Sequence, residues 1–162
     1  MLVELSPLML GVTDFVAWFV IHMAVAWAGT QLPDRLFRPD GFVCRIRPWE
    51  DGGRVYERLF RVSAWKDRLP DGAALFKRGF PKKSLLSRDP EYLARFIRET
   101  CRGEWVHWAA FWCAGLFFLW NPWYVGVGMF LYAALANAPP IITQRHNRAR
   151  MARLLSRMSA KR

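Results

Sequence analysis

Between residues 105 and 143 the chain carries no Lys, Arg, Asp or Glu, a run of 39 positions in a protein of 162. In an apolar surrounding each backbone N–H and C=O must be paired inside the protein, which favours helices. At 1.5 Å per residue about 20 residues cross a hydrocarbon layer of ~30 Å, so the run is roughly twice the length of one crossing. Asn121-Pro122 interrupts it midway, a turn signal with a proline suited to starting a helix. The run therefore reads as a hairpin of two spans, residues 105–120 and 123–143. A re-entrant pair that dips in and returns would leave the same flanks, and the sequence does not separate the two.

Residues 8–28 form another apolar stretch, broken only by Asp14 and His22, and predict a further span. Lys and Arg outnumber Asp and Glu by 24 to 13, yet hydrophobic residues make up 53% of the chain and nine are Trp. That combination excludes disorder and leaves a basic nucleic-acid binder or a membrane protein. The segregation of charge from apolar sequence favours the membrane protein, and no nucleic-acid-binding motif accompanies the charge. The fold class expected is an all-α integral membrane protein. It has three transmembrane helices and a basic cytoplasmic segment containing amphipathic interfacial helices, all in one membrane domain.

Residues 30–104 hold 17 Lys or Arg against 11 acids, and the tail, residues 144–162, holds seven basic residues and no acid. The positive-inside rule puts the segment 29–104 and the tail in the cytoplasm. The protein is then a multi-pass cell-membrane protein with its N-terminus outside, and Trp120, Trp123 and Tyr124 suit the outer interface. A competing reading takes residues 1–28 as a cleaved signal peptide ending at Ala26-Trp27-Ala28. No Lys or Arg precedes the apolar run, however, and cleavage would export the basic segment.

Within 29–104, Phe42, Cys44 and Ile46 alternate with polar or outward positions as in a short strand. Val55, Leu59 and Val62 predict an amphipathic helix over residues 54–66. Asp89-Pro90-Glu91 is a helix start with a capping carboxylate, and Leu93, Phe96, Ile97 and Thr100 make an apolar stripe suited to a bilayer surface. Cys44, Cys101 and Cys113 lack metal-ligand spacing, and the first two point to a reducing compartment.

Several residues are costly where they stand. Asp14 and His22 project within about 80° of each other but about 12 Å apart along the axis, so they cannot touch. An outer-interface position for Asp14 and an interhelical bond for His22 account for them without a catalytic role. Glu104 and His107, three apart, share a helical face at the cytoplasmic interface. A carboxylate that orients an imidazole is the arrangement a general base needs to activate a hydroxyl. A cap-and-anchor pair beside Trp105 and Trp108 accounts for the same two residues. Asn137-Ala138-Pro139-Pro140 frees backbone carbonyls near the end of the last span, and Asn137 could satisfy one or bind a substrate. Arg145 and Arg148 form a donor array suited to phosphate, or simply hold the tail inside.

Four blocks in order, residues 29–38 (GTQLPDRLFR), 65–72 (WKDRLPDG), 99–108 (ETCRGEWVHW) and 136–148 (ANAPPIITQRHNR), resemble the glycosyl-4,4'-diaponeurosporenoate acyltransferase family of carotenoid biosynthesis. The resemblance covers nearly the whole chain and is weakest over residues 73–94. It implies a small membrane enzyme that esterifies a fatty acyl chain to a sugar hydroxyl of a glycosylated terpenoid, as in the last step towards staphyloxanthin. The matching polar positions are Asp34, Arg38, Trp65, Lys66, Asp71, Glu104, His107, Asn137, Gln144, Arg145, Asn147 and Arg148. Pro140 stands where an aliphatic residue is expected, and Asp14 and His22 are not family features. With the resemblance, His107 is expected to be the general base and Glu104 its orienting partner. The remaining matching residues are expected to bind substrate, with Arg145 and Arg148 on the donor's phosphates and Asn147, Gln144 or Asn137 on the developing oxyanion. No metal or resident cofactor is expected; acyl-CoA or another activated acyl group is the co-substrate. The partners are the acceptor lipid, the acyl donor and membrane lipids, with no nucleic acid. The alternative is a non-catalytic membrane scaffold that binds anionic lipid.

Overall fold

The structure, a computed structural model, describes residues 6–69, 79–82 and 84–160. Its helices are α1 (Pro7–Gln31), α2 (Arg54–Phe60), α3 (Val62–Trp65), α4 (Pro90–Trp112) and α5 (Trp123–Ser159), and no strand occurs among the described residues. The alternating residues 42–46 form turns instead of a strand. Of the three alternating side chains only Cys44 is buried, against Phe37 and Cys101, whereas Phe42 is exposed, so they do not share one inward face.

α1 starts at Ser6, whose hydroxyl accepts from the Met9 amide at 3.4 Å, with Pro7 in the first turn. α4 starts at Pro90 as the sequence predicts, but Asp89 does not cap it, because its carboxylate is held by the Ser87 hydroxyl. The expected helix over 54–66 is broken at Arg61, which sits in the left-handed region at φ 48°. Val55 and Val62 are buried on either side of the break and Leu59 points outward.

α4 and α5 form the antiparallel hairpin. Its turn is Asn121-Pro122, and α4 reaches it through a 3₁₀ segment, Cys113–Leu119. α1 lies against both, antiparallel to α4. Near the turn Trp18 stacks on Phe117 with centroids 4.6 Å apart and its indole N–H meets the Met129 sulfur at 3.3 Å. At the other end the Gly29 backbone meets α4, where a Cβ would come within 2.4 Å of Val106 Cγ2. Glycine allows this approach, and any larger residue would have to displace the Val106 methyl.

Two helices, α1 and α5, are long and apolar enough to cross a membrane. This corrects the expectation of three separate transmembrane helices. Residues 105–120 are no separate helix but the end of the amphipathic α4 continued as 3₁₀ turns. The apolar stripe of Leu93, Phe96 and Ile97 is likewise internal, packed with Phe80 and Met151, and does not lie open to a bilayer. Leu8, Phe15, Trp123 and Leu135, by contrast, are 73–79% exposed, as part of a broad apolar surface around α1 and the first half of α5.

Asp14 is not left to reach an interface. It is 7% exposed and its Oδ1 accepts from Trp120 Nε1 and Asn121 Nδ2, both at 2.8 Å, which ties α1 to the hairpin turn. His22 bonds the Trp18 carbonyl of its own helix through Nδ1 at 2.8 Å, not a second helix.

Candidate active site

Where the charge-free sequence ends, α4 carries Cys101, Glu104 and His107 at three-residue spacing, and α5 brings Asn137, Arg145 and Arg148 against them. The segment between α1 and α2 supplies the rest. A short 3₁₀ turn, Pro48–Gly53, holds Asp51, Gly52 and Gly53 at positive φ and turns Glu50 fully inward. Gly53, at φ 89°, is the residue this conformation requires, and a Cβ on it would stand 2.5 Å from that of Ala149.

Glu104, 1% exposed, receives both arginines: Arg145 Nη1 on Oε1 at 2.6 Å and Arg148 Nη2 on Oε2. Arg145 is itself saturated. Its Nε donates to Tyr56 Oη at 2.9 Å, Nη1 to the Val43 carbonyl at 2.8 Å as well as to Glu104, and Nη2 to the Arg45 carbonyl at 3.1 Å and to Glu50. A guanidinium has five N–H donors, and all five are engaged. Tyr56 in turn donates to Glu50 Oε2 at 2.7 Å, and the Arg47 amide donates to Oε1 at 2.8 Å. Burial works against the Glu50 charge, but Arg145, Tyr56 and the Arg47 amide outweigh it and hold the Glu50 pKa below its ordinary value. Burial also opposes the charge on Arg145, and the two carboxylates more than offset it, raising its pKa.

These contacts correct two expectations. Arg145 has no N–H left for a donor phosphate. Arg148, 1% exposed, points Nη1 at Cys101 Sγ at 3.6 Å and Nη2 at Glu104, inside the protein. Glu104 does not orient His107, because both of its oxygens face arginines. The four charges form an internal neutral cluster that ties α4, α5 and the 42–56 segment together. Cys44 and Cys101 lie beside it as free thiols. The two thiols pack together, and their interaction holds the Cys44 pKa up and that of Cys101 down, which Arg148 lowers further.

His107 has a different orienting partner. Its Nδ1 lies 3.0 Å from Asn137 Oδ1, and Asn137 Nδ2 donates to the Ala133 carbonyl at 2.9 Å. The second bond fixes which way the amide faces. An oxygen turned to the ring can only accept, so the proton resides on Nδ1 and the Nε2 lone pair is left available. Asn137 is 1% exposed and held in place, whereas His107 is partly accessible. Pro139 and Pro140 follow within the same helix and leave the Leu135 and Ala136 carbonyls without their usual amide donors. The site can thus accept a proton at His107 Nε2.

The other expected residues lie apart from this pair. Asp34 pairs with Arg102, which also donates to the carbonyls of Gly29 at 2.6 Å and Leu32 at 2.8 Å and so fastens the end of α1. Arg38 pairs with Asp40 at 2.6 Å on the surface, Lys66 pairs with Asp67 at 2.7 Å, and Trp65 donates to the Phe60 carbonyl at 2.7 Å. Gln144 packs on Gly103 and Asn147 is buried next to His146. Asp71 lies outside the described residues. Sequence reasoning missed Glu50, Tyr56 and Arg102. Glu50 and Tyr56 meet an arginine about 90 positions away, which no local pattern signals.

A model of the glycosyl-4,4'-diaponeurosporenoate acyltransferase family matches residues 33–157. Proteins named glycosyl-4,4'-diaponeurosporenoate acyltransferase from Staphylococcus aureus strains bovine RF122 / ET3-1 and USA300 are each 30% identical to the chain over 138 residues. The match covers 85% of this chain and 83% of either relative. No solved structure matches.

Proposed function

The chain belongs to the glycosyl-4,4'-diaponeurosporenoate acyltransferase family, and from that premise we propose that it is a membrane O-acyltransferase. It esterifies a fatty acyl group to a sugar hydroxyl of a glycosylated carotenoid-type lipid. The observation that carries the chemistry is the His107–Asn137 pair, an imidazole with its tautomer fixed and Nε2 available, at the border between the apolar bundle and the charged cluster. An amphiphilic acceptor presents its sugar at such a border.

In the reaction His107 Nε2 takes the proton of the acceptor hydroxyl as its oxygen attacks the acyl carbonyl. The bond from the carbonyl carbon to the donor's leaving group then breaks. That leaving group, the thiolate of a thioester or the alkoxide of a lipid ester, departs with the proton from the imidazolium. Asn137 holds Nδ1–H and stabilises the protonated ring through its carbonyl oxygen. Purified protein given a glycosylated diaponeurosporenoate and radiolabelled palmitoyl-CoA, or palmitoyl phospholipid in a parallel assay, should form a labelled sugar ester. Absence of ester with both donors would turn the assignment to a non-catalytic lipid-binding scaffold.

α1 and the first half of α5 lie in the bilayer of the cell membrane, where their exposed apolar side chains meet lipid instead of water. The arm of residues 105–119 accompanies them. Eight residues at 1.5 Å and seven 3₁₀ residues at 2.0 Å extend it over about 26 Å, so its turn lies near the far face. The N-terminus and this turn then share the outer side, and the basic segment and tail share the cytoplasmic side. In a background with Cys113 replaced by Ser, cysteines at positions 6 and 124 should react with a membrane-impermeant maleimide on intact cells. Cysteines at 84 and 156 should not, and labelling of position 84 would overturn this orientation.

A further inference from the structure

Away from His107, α2 and the C-terminal part of α5 enclose a cleft of about 620 Å³ lined by Gly53, Arg54, Glu57, Arg58, Ser63, His146, Arg150 and Arg153. From α5 come His146, Arg150 and Arg153, at the i, i+4 and i+7 spacing of one helical face. From α2 come Arg54, Glu57 and Arg58 on a facing stripe. Four guanidinium groups against one carboxylate leave the lining with an excess of three positive charges.

Two of these groups lack partners where burial should demand them. His146 is 7% exposed and its Nδ1 has no partner in hydrogen-bond geometry, while Nε2 stands 3.7 Å from Glu57, too far for a hydrogen bond. Arg153 Nη1 is also buried without a partner. Burial, followed by the charges of Arg54, Arg157 and Arg150, pulls the Arg153 pKa below its ordinary value, as expected where cations gather without enough counter-charge. Arg54 is held by Asp51 at 2.6 Å, which aims it, whereas Arg58 and Arg150 are exposed. A buried polar group without a partner is destabilising, and a bound oxyanion would satisfy Arg153 Nη1 and a protonated His146 Nδ1.

We infer that this cleft binds the phosphate group of a ligand, at a site separate from the acyl-transfer centre. A phosphate offers several acceptor oxygens in three dimensions and up to two negative charges, matching donors converging from two helices. The volume exceeds that of a bare phosphate and falls within the ~300–1,000 Å³ usual for small-molecule sites. His146 stands nine residues beyond Asn137 on α5, half a turn around the helix and about 14 Å along it, so a group held here faces away from His107. The phosphate could belong to a phospholipid headgroup or to a soluble phosphate ester, and both present the same oxygens.

Binding to the purified full-length protein in neutral detergent at low ionic strength separates the sources. One arm uses inorganic pyrophosphate and the other dihexanoyl phosphatidylglycerol below its micelle concentration. Neither probe requires acyl transfer, so the result stands apart from the fate of the acyltransferase reading. Arg150→Gln and Arg58→Gln change exposed side chains, and each should weaken the bound probe roughly tenfold. Arg35→Gln removes the same charge outside the cleft and should change binding less than about twofold, a shift set by screened long-range charge alone. Tighter pyrophosphate binding identifies a soluble phosphate ester and tighter phosphatidylglycerol binding a lipid headgroup; either supports the site. Failure of both probes to bind, or an equal loss in Arg35→Gln, would overturn it.

Discussion

Glu104→Gln should cost about 3–5 kcal/mol of folding stability, the usual consequence of leaving a buried charge without its partner. In the native protein Glu104 and Glu50 balance Arg145 and Arg148. An amide at 104 leaves one excess positive charge in a site where Glu104 and Arg148 are each 1% exposed. The loss should appear as a lower thermal midpoint of the detergent-purified protein. Adding Arg148→Met restores neutrality with a side chain of similar reach, so the double variant should recover a large part of what Glu104→Gln loses. That non-additivity separates charge balance from damage to packing. A Glu104→Gln protein as stable as the parent would remove the cluster from its structural role.

His107→Ala should lower kcat by about 10²- to 10⁴-fold, the contribution of a positioned general base, while the protein still inserts and unfolds at its normal temperature. Asn137→Leu removes the acceptor that fixes the ring but leaves the imidazole in place. It should lose less and should weaken the dependence of kcat on the ring's orientation rather than abolish turnover. The neutral ring is the active form, so activity should fall as acid protonates it. A His107→Ala enzyme with near-normal kcat would discard this mechanism.

The contrast between these two variants marks where the sequence was legible. Glu104 and His107 look like a couple because three-residue spacing puts them on one face of a helix. Spacing along a helix cannot show what stands opposite, and here Arg145 and Arg148 reach Glu104 first while Asn137 meets His107. That Asn137 has an internal partner to find was readable from a polar side chain beside two prolines in an apolar run. Its geometry was not, because that depends on which way an amide flips.

The hairpin was legible for a stronger reason. A 39-residue charge-free run with Asn-Pro at its centre has few other solutions, and the turn falls at that dipeptide. Where its first arm begins was not legible. Charge stops at Glu104, but the backbone ladder of α4 runs through that boundary from Pro90 to Trp112. Cutting at the last charge turns the end of one amphipathic helix and its 3₁₀ continuation into a separate helix. The basic tail posed a similar problem. Six arginines in a row of turns look alike in composition, yet Arg145 and Arg148 face inward while Arg150 and Arg153 line a cleft, because a helix rotates about 100° per residue.

The saturation of Arg145 bears on how the protein is made. The Val43 and Arg45 carbonyls, the Glu50 carboxylate, the Tyr56 hydroxyl and Glu104 are all synthesised before the guanidinium that joins them. Until the ribosome has passed residue 145, two carboxylates destined for the interior have no cation to meet and must stay hydrated. The segment 42–56 therefore cannot settle onto α4 as it emerges. It waits in water for the last helix, which both completes the hairpin and delivers the cation that closes the cluster. The charge cluster thus closes from the C-terminal helix backwards, opposite to the order of synthesis.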